Sequence, residues 1–344
     1  MYMKIAVHLT SSTARKIIKI REVSTMYRIG IDLGGTNIAA GIVNSDFKIV
    51  AKSSVPTVVS EGADKVAGDI ANLCKKITAD NGIDMSEIES IGVASPGIAN
   101  SRDGVVEYAN NLPFKKFPIC RLISELTGVK SVHVENDANA AAWGEAIAGA
   151  AKGTSNSIMI TLGTGVGGGI IIDNKVYSGS NFAGAELGHI VIEHGGKQCS
   201  CGRRGCWEAY SSATGLINMT KEKIEECEKA GVHTLMSDIL KEHGKVSGRT
   251  AFMAMNKGDK AAKEVVDTYI AYLATGLANI VNIFQPEVVS IGGGVSNEGQ
   301  VLIDMLEPLI KKETYGGGVV KATELRIAKL GNDAGIVGAA TLGM

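Results

Sequence analysis

Apolar residues recur along this chain in two rhythms. Val66, Ile70, Leu73 and Ile77 stand at i, i+4, i+7 and i+11, which is one face of an amphipathic helix. Elsewhere the apolar positions come as short unbroken runs that stop at glycine, asparagine or proline. "IGIDLGGTNIAAGIV" (29–43), "IESIGVASPGI" (88–98), "SVHVEN" (131–136), "SIMITLGTGVGGGIIIDNKVYSG" (157–179) and "EVVSIGGG" (287–294) are of this kind and read as buried strands. Between them, "DANAAAWGEAIAGAA" (137–151) reads as a helix of small residues suited to close packing, and "AAKEVVDTYIAYLATGLANIVNIF" (261–284) as a long helix. Strands alternating with helices from Tyr27 onward predict an α/β architecture.

Two of these segments share a plan: apolar strand, glycine turn with a threonine, apolar strand. In the first, Asp32 puts a carboxylate near the end of an apolar strand, beside the turn amides and the Thr36 hydroxyl, a place to hold a metal-bound phosphate. The second contains G-x-G-x-x-G at Gly163, Gly165 and Gly168. A dinucleotide site needs a helix directly after that fingerprint, whereas "IIIDNKVYS" is strand-like, so that reading fails on context. No G-x-x-x-x-G-K-[ST] occurs either. Two glycine hairpins in two halves predict duplicated domains facing each other, each offering backbone N–H groups to phosphate. Gly292, Gly293 and Gly294, after a third strand, offer bare backbone to a base or ribose.

Composition narrows the class. With 344 residues, 45% of them hydrophobic and 21% charged, the chain suits a globular protein of about two domains. A net charge of −1 recruits neither nucleic acid nor anionic membrane. No run reaches the roughly 18 apolar residues of a membrane span. Residues 1–25 are basic, without an apolar signal core, and are expected to be an N-terminal extension, disordered or preceding a true start at Met26. Three of the six cysteines fall within "CSCGRRGC", which is poor spacing for a disulfide framework and good spacing for a metal. Without a secretory signal the expected compartment is a reducing cytoplasm. Cys199, Cys201 and Cys206 with a histidine make a closed Cys₃His set for structural Zn²⁺. Spacing alone leaves His189 and His194 as alternatives for the fourth ligand.

"DLGGTN", "ENDANAAAWGE", "LGTGVGGG", "ELGH" followed by "CSCGRRGCWE", and "IGGG" stand in the order of the ROK family of sugar kinases, within the hexokinase/actin-like ATPase superfamily, and the chain resembles that family over everything after residue 26. The resemblance implies a two-domain duplicated ribonuclease-H-like fold with an interdomain cleft. The divisions expected from it are 27–137 plus 333–344, and 138–332. It implies ATP-dependent phosphorylation of a hexose with catalytic Mg²⁺, glucose at O6 being the first expectation. Asp137 then matches the general base. Asn136, Glu186, His189 and Glu208 match residues that hold sugar hydroxyls, and Gly97 and Asn110 fall in segments lining the same pocket. Asp32, Gly34, Gly35, Thr36 and Asn37, together with Gly163, Thr164, Gly165 and Gly167, match the two phosphate hairpins. Gly292 to Gly294 match the adenosine contact. His189 resembles the histidine that ligates zinc with one ring nitrogen and faces the sugar with the other. Trp207 departs from the leucine common at its position.

The same family contains sugar-responsive repressors. Those add an N-terminal winged helix-turn-helix of several tens of residues, for which the 26 residues before the first strand are too few. N-acetylmannosamine, N-acetylglucosamine, fructose and mannose kinases share much of the motif set, so the hexose stays open at this stage. A homodimer or homotetramer is expected, with no nucleic-acid or membrane partner.

Overall fold

The computed structural model describes residues 26–344, and the expected extension at 1–25 lies outside the described residues. The first half builds β1 (Tyr27–Leu33), β2 (Asn37–Val43), β3 (Ile49–Pro56), α1 (Ala63–Asp80), β4 (Ile88–Ser95), a small sheet of β5 (Ile98–Asn100), β6 (Val105–Tyr108) and β7 (Lys115–Phe117), then α2 (Ile119–Thr127) and β8 (Ser131–Asn136). After α3 (Asp137–Ala148) come β9 (Ser157–Leu162), β10 (Val166–Ile172) and β11 (Lys175–Val176). The helices α4 (Glu208–Ser211), α5 (Ala213–Lys229), α6 (Leu235–His243), α7 (Thr250–Met255) and α8 (Lys260–Phe284) follow. The chain closes with β12 (Val288–Gly292), α9 (Gln300–Glu313), β13 (Glu324–Ile327) and α10 (Ala334–Ala340).

The duplication expected from the hairpins is present strand for strand. One five-stranded sheet runs β3-β2-β1-β4-β8 and the other β11-β10-β9-β12-β13. In each, an antiparallel meander supplies the first three strands and two parallel strands complete the sheet. "IIIDNKVYS" is indeed β-structure: β10 turns into β11 through Asp173 and Asn174, both at positive φ (50° and 57°), which suits a two-residue hairpin turn.

Each sheet has its own core. Val66, Ile70, Leu73 and Ile77 of α1 are all buried with Ile29, Ile31, Ile91 and Val134 in the first. The second gathers Ile158, Ile160, Val289 and Ile291 under α5, α7, α8 and α9. Full burial of each such side chain stabilises by about 1.5–3 kcal/mol, so either lobe has a substantial core. No helix among the described residues is long and apolar enough to cross a membrane.

Two helices join the lobes. α10 lies on β1 and β4 of the first sheet, α3 lies on β10 of the second, and the two helices cross. They meet backbone to backbone: a Cβ on Gly144 would come within 2.4 Å of the Ala334 carbonyl oxygen, and one on Gly338 within 1.7 Å of that of Ala140. The small residues of "DANAAAWGEAIAGAA" make this approach possible.

Candidate active site

The strand ends at Asn136 because its side chain starts a helix. Asn136 Oδ1 accepts from the N–H groups of Ala138 (2.9 Å) and Asn139 (3.2 Å), so Asn136 is the N-cap of α3. Its Nδ2 donates to the Gly97 carbonyl at 3.1 Å, which ties α3 to the segment after β4. Capping thus falls to Asn136, and Asp137 enters the first turn with one oxygen accepting from Ala138 N–H at 2.9 Å. Burial pushes the Asp137 carboxyl above the usual carboxylate range, and that backbone bond works in the opposite direction.

Asp32, at the end of β1, is pushed up as well, first by burial and then by the charge of Asp137, with Lys52 pulling it down. Lys52 itself bonds Asp333, at the entry to α10. Two carboxylates near enough to repel each other offer hard oxygen donors of the kind that suit Mg²⁺.

The two hairpins present their turns alike. Gly34 N–H donates to the Asn37 carbonyl (2.8 Å) and Gly163 N–H to that of Gly165 (3.0 Å). Among the described residues, no carbonyl accepts from the amides of Gly35, Thr36, Thr164 or Gly165. Thr57 braces the first turn, its hydroxyl donating to the Gly34 carbonyl at 2.7 Å and its N–H to that of Thr36 at 3.0 Å. The second turn is braced by Thr214, which donates to the Thr164 carbonyl (2.7 Å), and by Glu208, whose Oε2 accepts from Val166 N–H (3.0 Å). Gly292 pairs with Thr161 at the end of β12, and Gly293 passes over the backbone of Leu162, so the third glycine segment adjoins the second hairpin.

The metal cluster forms around the adjoining loop. His189, Cys199, Cys201 and Cys206 offer ligand atoms that all lie within 4.8 Å of one another. Cys199 Sγ is 3.8 Å from His189 Nδ1, and Cys201 Sγ is 3.7 Å from Cys206 Sγ. A tetrahedron with Zn–S of about 2.3 Å has edges of about 3.8 Å, so the donor set fits zinc. His194 is exposed and outside the cluster. The Arg203 N–H lowers the Cys201 thiol, whereas burial, reinforced by the neighbouring sulfurs, pushes Cys206 up to about 12. Sulfurs this close oppose one another's ionisation, and a dication relieves that opposition.

The loop is fastened at both ends. Ile190 accepts from Trp207 N–H at 2.8 Å, and Ile192 N–H donates to Gly205 at 2.9 Å. The Trp207 side chain is fully buried against α8, where Gly276 leaves room for the indole, and its Nε1–H donates to the Tyr272 carbonyl at 3.1 Å. This is how the fold accommodates tryptophan in place of leucine. Glu208 follows directly, and its Oε1 accepts from the Ser200 hydroxyl at 3.1 Å. Glu186 is exposed at the start of the turn that carries His189, and its carbonyl accepts from His189 N–H at 3.0 Å. A cavity of about 370 Å³ opens here, lined by Thr164, Gly165, Gln198, Ser200, Glu208 and Thr214 among others.

Gly97 and Asn110 are both exposed in the first lobe. The side chain packed against the first hairpin is that of Asn111, whose Nδ2 lies 2.9 Å from where a Cβ on Gly35 would stand. Sequence reasoning passed over Asn111, although the "NNLP" doublet was a visible signal. Thr57, Lys52 and Asp333 carried none, because each acts on a segment distant in the chain.

Comparison with known proteins places the chain in a family. The chain is 36% identical to a glucokinase of Halalkalibacterium halodurans over 317 residues, covering 92% of this chain and 94% of the relative. It is 32% identical to an N-acetyl-D-glucosamine kinase of Aliivibrio fischeri, covering 91% of this chain and 98% of the relative. The crystal structure of a ROK family glucokinase from Streptomyces griseus, in complex with glucose and AMPPNP, superposes with a TM-score of 0.73 at 33% identity, covering 92% of this chain and 98% of that one. The model of the ROK family matches residues 28–344, and the chain belongs to that family.

Proposed function

We propose that this protein transfers the γ-phosphoryl group of ATP to O6 of glucose, forming glucose 6-phosphate. The observation that carries the reading is Asp137: relieved of capping by Asn136, half-buried, and close enough to Asp32 that the two charges repel. A primary hydroxyl is a poor nucleophile, and Asp137 accepts its proton as the new phosphorus–oxygen bond forms, an assistance worth about 10²–10⁴-fold. The free amides of Gly35 and Thr36, and of Thr164 and Gly165, receive phosphate oxygens from opposite lobes. Asp32 is the side chain to hold Mg²⁺, which when bound neutralises charge on the transferring phosphate. Glu186, His189 and Glu208 orient the sugar hydroxyls, with Gly97, Asn110 and Asn111 closing the pocket from the first lobe. Glu208 accepts from Val166 N–H, the Ser200 hydroxyl and the Cys199 thiol, and its two oxygens keep acceptor capacity for a sugar hydroxyl beside these. Zn²⁺ in the Cys₃His cluster supplies local folding energy and so holds the segment between Glu186 and Glu208 in shape.

The domains of this reading are 27–137 plus 333–344, and 138–332, with the sugar and ATP between them. A cytoplasmic homodimer or homotetramer completes it. A coupled ADP-release assay over hexoses and amino sugars tests the substrate: glucose is expected to give the highest kcat/KM. A tenfold higher value for an N-acetylated hexosamine would instead assign the activity of the Aliivibrio relative.

A further inference from the structure

The chain passes between the lobes twice. It leaves the first sheet through α3 and enters the second at β9, and it leaves β13 and returns to the first sheet through α10. One carboxylate touches the junctions of both passages with the second sheet. Glu145, in the last turn of α3, is fully buried. Its Oε2 accepts from the N–H groups of Ala150 at 2.6 Å and Lys329 at 3.1 Å, and its Oε1 from that of Leu330 at 2.7 Å. Ala150 lies on the outward passage, and Lys329 and Leu330 on the return. Arg326 reinforces the junction from β13, donating through Nη1 to the Ala150 carbonyl at 2.7 Å.

A buried carboxylate is costly unless hydrogen bonds compensate it, and an apolar side chain would fill the same space more simply. What the carboxylate adds is direction: three N–H groups from two distant segments must converge on it. Hinges are a few residues at element ends that absorb a domain rotation. Residues 149–151 and 328–333 are such ends, and Glu145 joins them.

We propose that Glu145 is a positioning residue for phosphoryl transfer, the pin at which both passages are held so that the cleft closes about a fixed point and brings Asp137 and Asp32 into register. The proposal rests on the kinase reading above. Glu145→Gln keeps the volume but turns an amide donor toward backbone donors, and Glu145→Asp keeps the charge but shortens the reach. For Glu145→Gln, kcat is expected to fall about tenfold or more while the dissociation constant for glucose in the binary complex changes much less. The contraction in solution scattering on adding glucose and AMPPNP should shrink with it, and Glu145→Asp should recover part of both. A Glu145→Gln protein with a lowered Tm but wild-type kcat per folded molecule and full contraction would overturn the pin. If Glu145→Gln does not fold, Arg326→Gln decides, because it removes the outer bond to Ala150 and leaves Glu145 in place. Glu324→Gln is the control for the surface ion pair that Arg326 also makes. Contraction and kcat reduced in Arg326→Gln and not in Glu324→Gln support the pin, and unchanged or equally reduced values overturn it. A wild-type protein that does not contract with any sugar and nucleotide also overturns it. A wild type that contracts but phosphorylates no sugar overturns the kinase reading, and the variants' contraction alone then decides the pin.

Discussion

The hairpins β1–β2 and β9–β10 occupy the same place in their sheets, yet Asp32 in one stands where Thr161 stands in the other. Asp32 pairs with Ala39 across its hairpin and with Ala94 of β4, and Thr161 pairs with Gly167 and with Gly292 of β12. The first turn is held by a neutral threonine from the segment after β3. The second is held by a threonine too, Thr214, and in addition by Glu208, which also binds the loop of the Cys₃His cluster. The repeated backbone therefore leaves turn amides without a carbonyl partner in both hairpins, while single side chains decide which hairpin carries a strand carboxylate and which is tied to the Cys₃His loop.

The sharpest way to break this comparison is at the charged half. Asp137→Asn is expected to lower kcat at least about 10²-fold, with KM for the sugar changed much less. Near wild-type turnover would remove Asp137 as the base. Asp32→Asn should cost about tenfold or more in kcat and Thr161→Val only a few-fold, and equal losses would erase the distinction between the hairpins.

The half that carries the Cys₃His loop comes next. Wild-type protein is expected to hold about one zinc per chain by elemental analysis. Cys201→Ser should lose it and lose roughly 10- to 100-fold in kcat/KM. Amide exchange should rise across 195–206 and the second hairpin while the first hairpin stays protected. A fully active protein without zinc contradicts the dependence.

A smaller effect follows from pH. Because burial raises Asp137, the acid limb of kcat should lie above the ordinary carboxylate value, with activity falling as pH falls through it. Stability moves the other way. A carboxyl whose native pKa exceeds its unfolded value binds its proton more tightly when folded. Its ionisation therefore penalises folding as pH rises from about 3.9 to the native value, and the full penalty persists above it. Asp137→Asn should then have a higher Tm than wild type at neutral pH, a gain that fades on acidification. A constant difference across pH would show that the charge is not its source.

The smallest effect concerns bracing. Thr57→Val removes the donor to the Gly34 carbonyl and is expected to cost about 1 kcal/mol of stability in denaturant unfolding. KM for ATP should rise a few-fold with zinc content unchanged. A loss of zinc in this variant would mean the two braces are not independent.

Local pattern and chemistry made much of this protein readable in advance. The burial of Val66, Ile70, Leu73 and Ile77 follows from helical periodicity, and the two sheets follow from apolar runs interrupted by glycine, because these signals involve neighbours in the chain. The cysteine spacing pointed to the Cys₃His donor set for the same reason, since its donor atoms lie within one short loop and a nearby histidine. Distance in sequence set the boundary. His189 and His194 are both near enough to the cysteines to serve, and only the turn packed on β10 brings one of them to the sulfurs. Asp at a helix start reads as a cap until Asn136 is seen to fill that role. Asn110 and Asn111 are indistinguishable as letters, and the fold turns the second toward Gly35. Glu145 looked like one polar residue in a helix of alanines. Ala150 is a near neighbour in the chain, but Lys329 and Leu330 are not, and only the tertiary structure delivers those donors to the buried carboxylate.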